Sequence, residues 1–301
     1  VIQDLTAVNR GDIVCICAGG EGMYQPAHFV AVNHKDKEVV VAIRGTMSLK
    51  DVLVDLVCEN VPFSSVYVDS TNRGDDDNGD DDDEMIMEGK AHGGFLKSAQ
   101  RLANTLHEPV ANALSANPEY RLVIVGHSLG GGVATLLTLL WATIPLFRAR
   151  NIQGYSYASP CSVCASISQA PFTRQHVTSV VYGDDLVSRL SLASFRELQR
   201  DIVATSMEED GNTSPTNTSS DAIEEEKLYC TGKVWWLESK EYEPHQIVEV
   251  NPVEHLQHIE LFSDMIATHM PWAYLDALEK LDHPNEEEDE IDFSPISCDA
   301  E

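Results

Sequence analysis

The stretch RLVIVGHSLGGGVATLLTLLW, residues 121–141, constrains the fold more than any other. An apolar, β-branched run of strand length, 121–125, meets Gly126-His127-Ser128-Leu129-Gly130, and an apolar helical pattern follows at once. A strand and a helix with no polar face must both be buried, so the corner between them lies inside a layered domain. Glycines at 126 and 130 let the two elements pass closely. Ser128 then sits on a strained turn at a helix N-terminus, where the dipole favours a developing oxyanion. The pentapeptide alone says little, but between a strand and a helix it marks Ser128 as a nucleophile.

The rest of the chain supplies partners for that unit. "HFVAVNH" (28–34) and "EVVVAIRGT" (38–46) read as a hairpin, and further strands are expected at 152–158, 177–182, "KVWWLES" and "QIVEVN". Helices are expected at 48–57, along the apolar face from Phe95 to Leu114 up to Asn117-Pro118, over 129–149, over "SLASFRELQRDIV" and over "DMIATHMPWAYLDALEKL". Strands alternating with helices predict an α/β fold, a mostly parallel central sheet with helices on both faces. The expected organisation is one domain over 1–281, interrupted by flexible acidic inserts at about 64–90 and 204–227, with an acidic tail at 282–301.

The formal charge of −29 is concentrated in those three stretches, and elsewhere bases nearly balance acids. A nucleic-acid footprint needs a basic patch, and none is present. The seven cysteines are irregularly spaced, which favours a reducing compartment. Neither Cys15-x-Cys17 nor Cys161-x-x-Cys164 has a standard zinc partner spacing, so no metal site is assigned. Calcium on the Asp run is conceivable, but no specific motif supports it. The chain shows no run of 18 apolar residues and no basic leader, and its abrupt start at Val1 reads as a domain excised from a longer protein.

A nucleophilic serine needs a base and an orienting acid, arriving after this kind of elbow in the order Ser, Asp, His. Asp184 and Asp185 follow the 177–182 strand, where open α/β sheets gather their sites; the pattern leaves both open. Of the histidines beyond them, His269 precedes Pro271, a helix-starting proline, whereas His255 and His258 read as a solvated helical face.

Taken in order, "VVVAIRGT", "AHGGFLKSA", "VIVGHSLGGGVATLL", "YSYASP" and "DLVSRL" resemble the class 3 lipases related to the filamentous-fungal enzymes. "RGTMSLKDVLVDL" and "MIATHMPWAYLDAL" look most like the catalytic domain of the sn-1-specific diacylglycerol lipases in that family. The resemblance implies an α/β-hydrolase-like fold with Ser128 as nucleophile, Asp185 as acid, His269 as base, and Thr46 and Leu129 as oxyanion donors. It places a lid on the helix carrying Leu49, Val52, Leu53 and Leu56. Ser188 stands where the family usually has Pro, a departure expected to loosen that loop without touching the carboxylate.

The implied activity is hydrolysis of the sn-1 ester of diacylglycerol through an acyl-enzyme, with no cofactor required. The alternatives are an esterase or acyltransferase on triacylglycerol, phospholipid or galactolipid, or a non-catalytic scaffold. The implied partner is a lipid ester at the cytoplasmic face of a membrane, reached peripherally or through anchoring segments outside this chain. A kinase acting on the 204–227 insert, rich in Ser and Thr, is a further expected partner.

Overall fold

In the computed structural model, the residues described are 8–19, 24–45, 58–68, 84–209, 226–240 and 243–282. An eight-stranded sheet runs in the order β1 (Ile13–Cys17), β2 (His28–Asn33), β3 (Glu38–Ile43), β6 (Arg121–His127), β7 (Gln153–Tyr157), β9 (Val177–Tyr182), β11 (Lys233–Lys240), β12 (Glu243–Val250). The pairings from β3 through β11 are all parallel, and the flanking pairs are antiparallel, including the hairpin β2–β3.

Register decides which face each side chain covers. Ile124, Gly154 and Val177 lie side by side on one face, and Tyr157 and Val180 on the other. Helices α1 (Gly93–Ala116) and α2 (Leu129–Ala142) bury the first face, with Leu106, Leu114, Leu136, Leu137 and Trp141 packed among Val39, Val41, Ile43 and Ile124. There α2 comes so close that a Cβ on Gly154 would collide with the Thr138 hydroxyl. A later helix covers the opposite face around Tyr157, Val180 and Tyr182.

The structure corrects several expectations. The 129–149 helix ends at Ala142, and a short α3 (Pro145–Arg148) follows; Ile144 is extended (φ −83°, ψ 120°), as a residue before proline prefers. The 64–90 insert is much shorter than its acidity suggested. Strands β4 (Asn60–Val68) and β5 (Glu84–His92) pair in unbroken antiparallel register from Asn60↔His92 to Val68↔Glu84. Phe63, Ser65, Tyr67 and Met87 turn inward in alternation, which holds the hairpin onto the domain. Two short strands, β8 (Val163–Cys164) and β10 (Leu228–Tyr229), complete a second, four-stranded sheet.

Likewise α4 (Leu192–Glu209) runs through the first residues of the expected 204–227 insert. Ala, Met and Glu favour helix there, and the Thr205 and Ser206 hydroxyls donate back to the Asp201 and Ile202 carbonyls. The last helix, α5 (Pro271–Asp282), begins at Pro271, so the expected helical residues 264–270 form turns instead. The 48–57 helix, the centres of both acidic inserts (69–83 and 210–225) and the 283–301 tail lie outside the described residues. Among the described residues no helix is long and apolar enough to cross a membrane.

A Gly130→Ala variant tests how tightly this frame is built, because the added Cβ would collide with the Ile43 carbonyl and lie 2.9 Å from the Gly45 nitrogen. Thermal unfolding should show a loss of about 1–3 kcal/mol. Wild-type stability would mean that the strand and helix can part without cost.

Candidate active site

Ser128 stands between β6 and α2 with φ 56° and ψ −130°, a left-handed conformation that costs a non-glycine residue about 1–3 kcal/mol. Packing enforces it. A Cβ on Gly126 would collide with the Gly130 carbonyl, and one on Gly45 with the His127 carbonyl, so only glycines let three backbones meet here. The Ser128 N–H donates to the Tyr157 carbonyl at 2.9 Å, which pins the corner to β7.

Two later segments converge on the hydroxyl. His269 Nε2 lies 3.1 Å from Ser128 Oγ, and His269 Nδ1 lies 3.0 and 3.2 Å from the two Asp185 carboxylate oxygens. All three residues are buried. Geometry therefore separates the two acids: Asp185 meets the imidazole, while Asp184 is half-buried, its carboxyl raised by desolvation and by the nearby Asp264 carboxylate.

Asp185 is held by further donors. The Val187 N–H donates to Oδ1 at 2.9 Å, and the Tyr274 hydroxyl to Oδ2 at 2.7 Å. Tyr274 in turn accepts from the Tyr182 N–H at 3.0 Å. Burial, then the adjacent carboxylate, push this phenol well above its ordinary range, so it stays a donor. Ser188, expected to leave the carboxylate alone, instead donates its hydroxyl to Oδ2 at 3.4 Å. Its own carbonyl accepts from the Cys161 and Cys230 thiols at 3.5 and 3.1 Å, so these cysteines prop the acid loop. Buried Arg189 ties the same loop to the His255 and His258 carbonyls, and the His255 ring packs 4.5 Å from that of Trp236. Neither of those histidines joins the site.

His127 was not singled out from the sequence. Its Nε2 lies 2.9 Å from the His269 carbonyl, and its ring lies 5.0 Å from the His269 ring. Burial, then the charge of His269, lower its pKa to about 4, so at neutral pH it is uncharged and its Nε2–H donates to that carbonyl. Tyr274 was missed as well. The available signal was its position five residues past His269 on the helix that Pro271 starts.

Leu129 is the first residue of α2, and its N–H has no carbonyl one turn back to donate to, which leaves it available beside Ser128. Thr46 and the proposed lid residues Leu49, Val52, Leu53 and Leu56 lie outside the described residues. Gly45, one residue before Thr46, lies against the elbow. Among the described residues no group of three or more His, Cys, Asp or Glu side chains could hold a metal ion.

A sharp strand–serine–helix turn on a largely parallel sheet, with His and Asp supplied from beyond later strands, defines an α/β-hydrolase-type serine site. The chain belongs to the class 3 lipase family, whose model, Lipase (class 3), matches residues 40–195. It is 32% identical over 184 residues to diacylglycerol lipase-beta of Mus musculus, covering 60% of this chain and 24% of that protein. It is 28% identical over 210 residues to diacylglycerol lipase-alpha of Rattus norvegicus, covering 67% of this chain and 17% of the relative. The chain thus spans a quarter or less of these curated relatives. In fold it resembles the native Rhizomucor miehei lipase propeptide complex, with a TM-score of 0.51 and 20% identity over 89% of this chain and 68% of that one.

Because His127 is neutral when folded but titrates near 6.5 when unfolded, the unfolded chain binds more protons between those values. Its contribution to stability is whole above pH 6.5 and falls by up to about 3 kcal/mol as pH drops toward 4. Denaturant unfolding across this window should show a shallower decline for His127→Gln than for wild type. Parallel declines would mean that the imidazole is not held neutral.

Proposed function

We propose that this chain is a serine lipase that hydrolyses the sn-1 ester of diacylglycerol, releasing a fatty acid and a 2-monoacylglycerol. The observation that carries the reading is the 3.1 Å approach of His269 Nε2 to Ser128 Oγ, with Asp185 on the other ring nitrogen. His269 takes the Ser128 proton as the oxygen attacks the ester carbonyl. The Leu129 N–H, together with Thr46, stabilises the oxyanion. Asp185, fixed by Tyr274 and the Val187 N–H, orients the imidazole and stabilises its charged form.

Collapse of the tetrahedral intermediate transfers the proton from His269 to the departing glycerol oxygen and leaves an acyl-Ser128. His269 then draws a proton from water, hydroxide attacks the acyl carbonyl, and the acid leaves as Ser128 regains its proton. The chemistry needs no cofactor. Ser128 is fully buried, so turnover requires an opening movement that admits the ester. Similarity to two proteins named diacylglycerol lipases supports the substrate class, and the insolubility of such a substrate in water supports action at a membrane surface.

The direct test is incubation with diacyl, triacyl, monoacyl and phospholipid esters together, with the products identified. The expected result is a 2-monoacylglycerol that forms first and fastest. Ser128→Ala should lower turnover by about 10⁴-fold or more, in line with losses on removing such nucleophiles. Preferential release from a phospholipid would redirect the substrate, and undiminished turnover by Ser128→Ala would refute the mechanism.

A further inference from the structure

The segment that delivers His269 carries an apolar surface that the sheet and the acid–base array leave unused. Leu261, Phe262, Ile266, Trp272 and Leu275 are 59%, 40%, 44%, 62% and 57% exposed. Among the described residues, no other stretch of this length exposes as many large apolar side chains. Helix α5 turns Tyr274 and Ala277 into the domain, packed by Ala273, Leu278 and Leu281. Trp272 and Leu275, three positions apart, therefore share its outward side.

Hydrogen bonds fix the preceding turns. The Thr268 N–H donates to the Asp264 carbonyl at 2.9 Å and the His269 N–H to the Ile266 carbonyl at 3.2 Å. The Leu186 N–H donates to the Met265 carbonyl at 3.2 Å, which joins this segment to the Asp185 loop. Ile266 thus stands on the hydrogen-bonded turns that carry the imidazole, and Trp272 and Leu275 on the helix that follows directly.

Charge narrows what can cover this surface. From Glu260 through Asp276 the sequence has no lysine or arginine, while Glu260, Asp264 and Asp276 are interspersed with the apolar residues. Just beyond, Lys280 pairs with Asp276 at 3.5 Å. An anionic leaflet would repel such a segment. A choline-bearing surface suits it, because quaternary ammonium groups can meet the carboxylates and the face of Trp272 while Leu275 and Phe262 enter hydrocarbon.

Resting on the reading of Ser128 as a lipid-ester nucleophile, we propose that residues 261–275 dock this chain on a zwitterionic, phosphatidylcholine-rich lipid surface. The docked segment is the one that carries His269 in sequence, with the imidazole turned inward toward Ser128.

The test compares wild type, Ser128→Ala and the double variant Trp272→Ser/Leu275→Ser. Both substituted side chains are exposed, and matched melting curves confirm the fold. Wild type should cosediment with phosphatidylcholine vesicles, and less so as phosphatidylserine replaces the choline lipid. The double variant should lose about tenfold or more in partitioning and in turnover of vesicle-borne diacylglycerol, while hydrolysis of a water-soluble short-chain ester stays within about twofold.

Equal partitioning of variant and wild type, or wild-type binding that rises with phosphatidylserine, would overturn the proposal. So would a lipid-free wild-type dimer that the double variant abolishes, which would assign the face to a second copy. Ser128→Ala should bind vesicles as wild type does. Docking without lipid-ester turnover by wild type would therefore count against the hydrolase reading and leave the surface assignment standing.

Discussion

The site depends on how closely backbone can approach backbone around Ser128. β3, the turn after β6 and the first turn of α2 meet where a single added Cβ on Gly126, Gly130 or Gly45 would strike a carbonyl. That contact, together with the bond from the Ser128 N–H to the Tyr157 carbonyl, holds the serine at φ 56°. The strain sets the direction of the hydroxyl, because a relaxed serine would have its side chain elsewhere. Only with that direction fixed can an imidazole 141 positions away in sequence meet it at 3.1 Å.

A second constraint is the buried carboxylate of Asp185. Burying a carboxylate is costly unless its oxygens are bonded. Here the imidazole, the Val187 N–H, the Tyr274 hydroxyl and the Ser188 hydroxyl surround its two oxygens. Tyr274 belongs to the helix that starts just past His269, so one stretch of chain both carries the imidazole and donates to the Asp185 carboxylate that the imidazole meets. His127, beside the nucleophile in sequence, bonds to the His269 main chain. The turn that carries Ser128 is therefore bonded to the main chain of His269.

The strands and helices flanking Ser128 were legible because their apolar patterns are long and uninterrupted, and the β2–β3 hairpin because its alternation is regular. Pattern alone could not choose between Asp184 and Asp185. Two adjacent residues on a loop differ only in direction, which the loop's bonds to Met265, His255 and His258 decide. Tyr274 was hidden because an aromatic on an amphipathic helix reads as core, which it also is. The β4–β5 hairpin was masked by the acidity between its strands: the alternation of Phe63, Ser65 and Tyr67 is short, and composition outweighed it. The break before Pro145 was readable from the proline itself, but the apolar run leading into it was the stronger signal.

The central claim is that Ser128, His269 and Asp185 act as one unit, and non-additivity tests it most directly. Turnover of a soluble ester should be measured for Ser128→Ala, His269→Ala and the variant carrying both. If the imidazole acts only through the serine oxygen, the combined variant will be no slower than the worse single one. Losses that multiply would mean that the two side chains contribute independently, and would contradict the account.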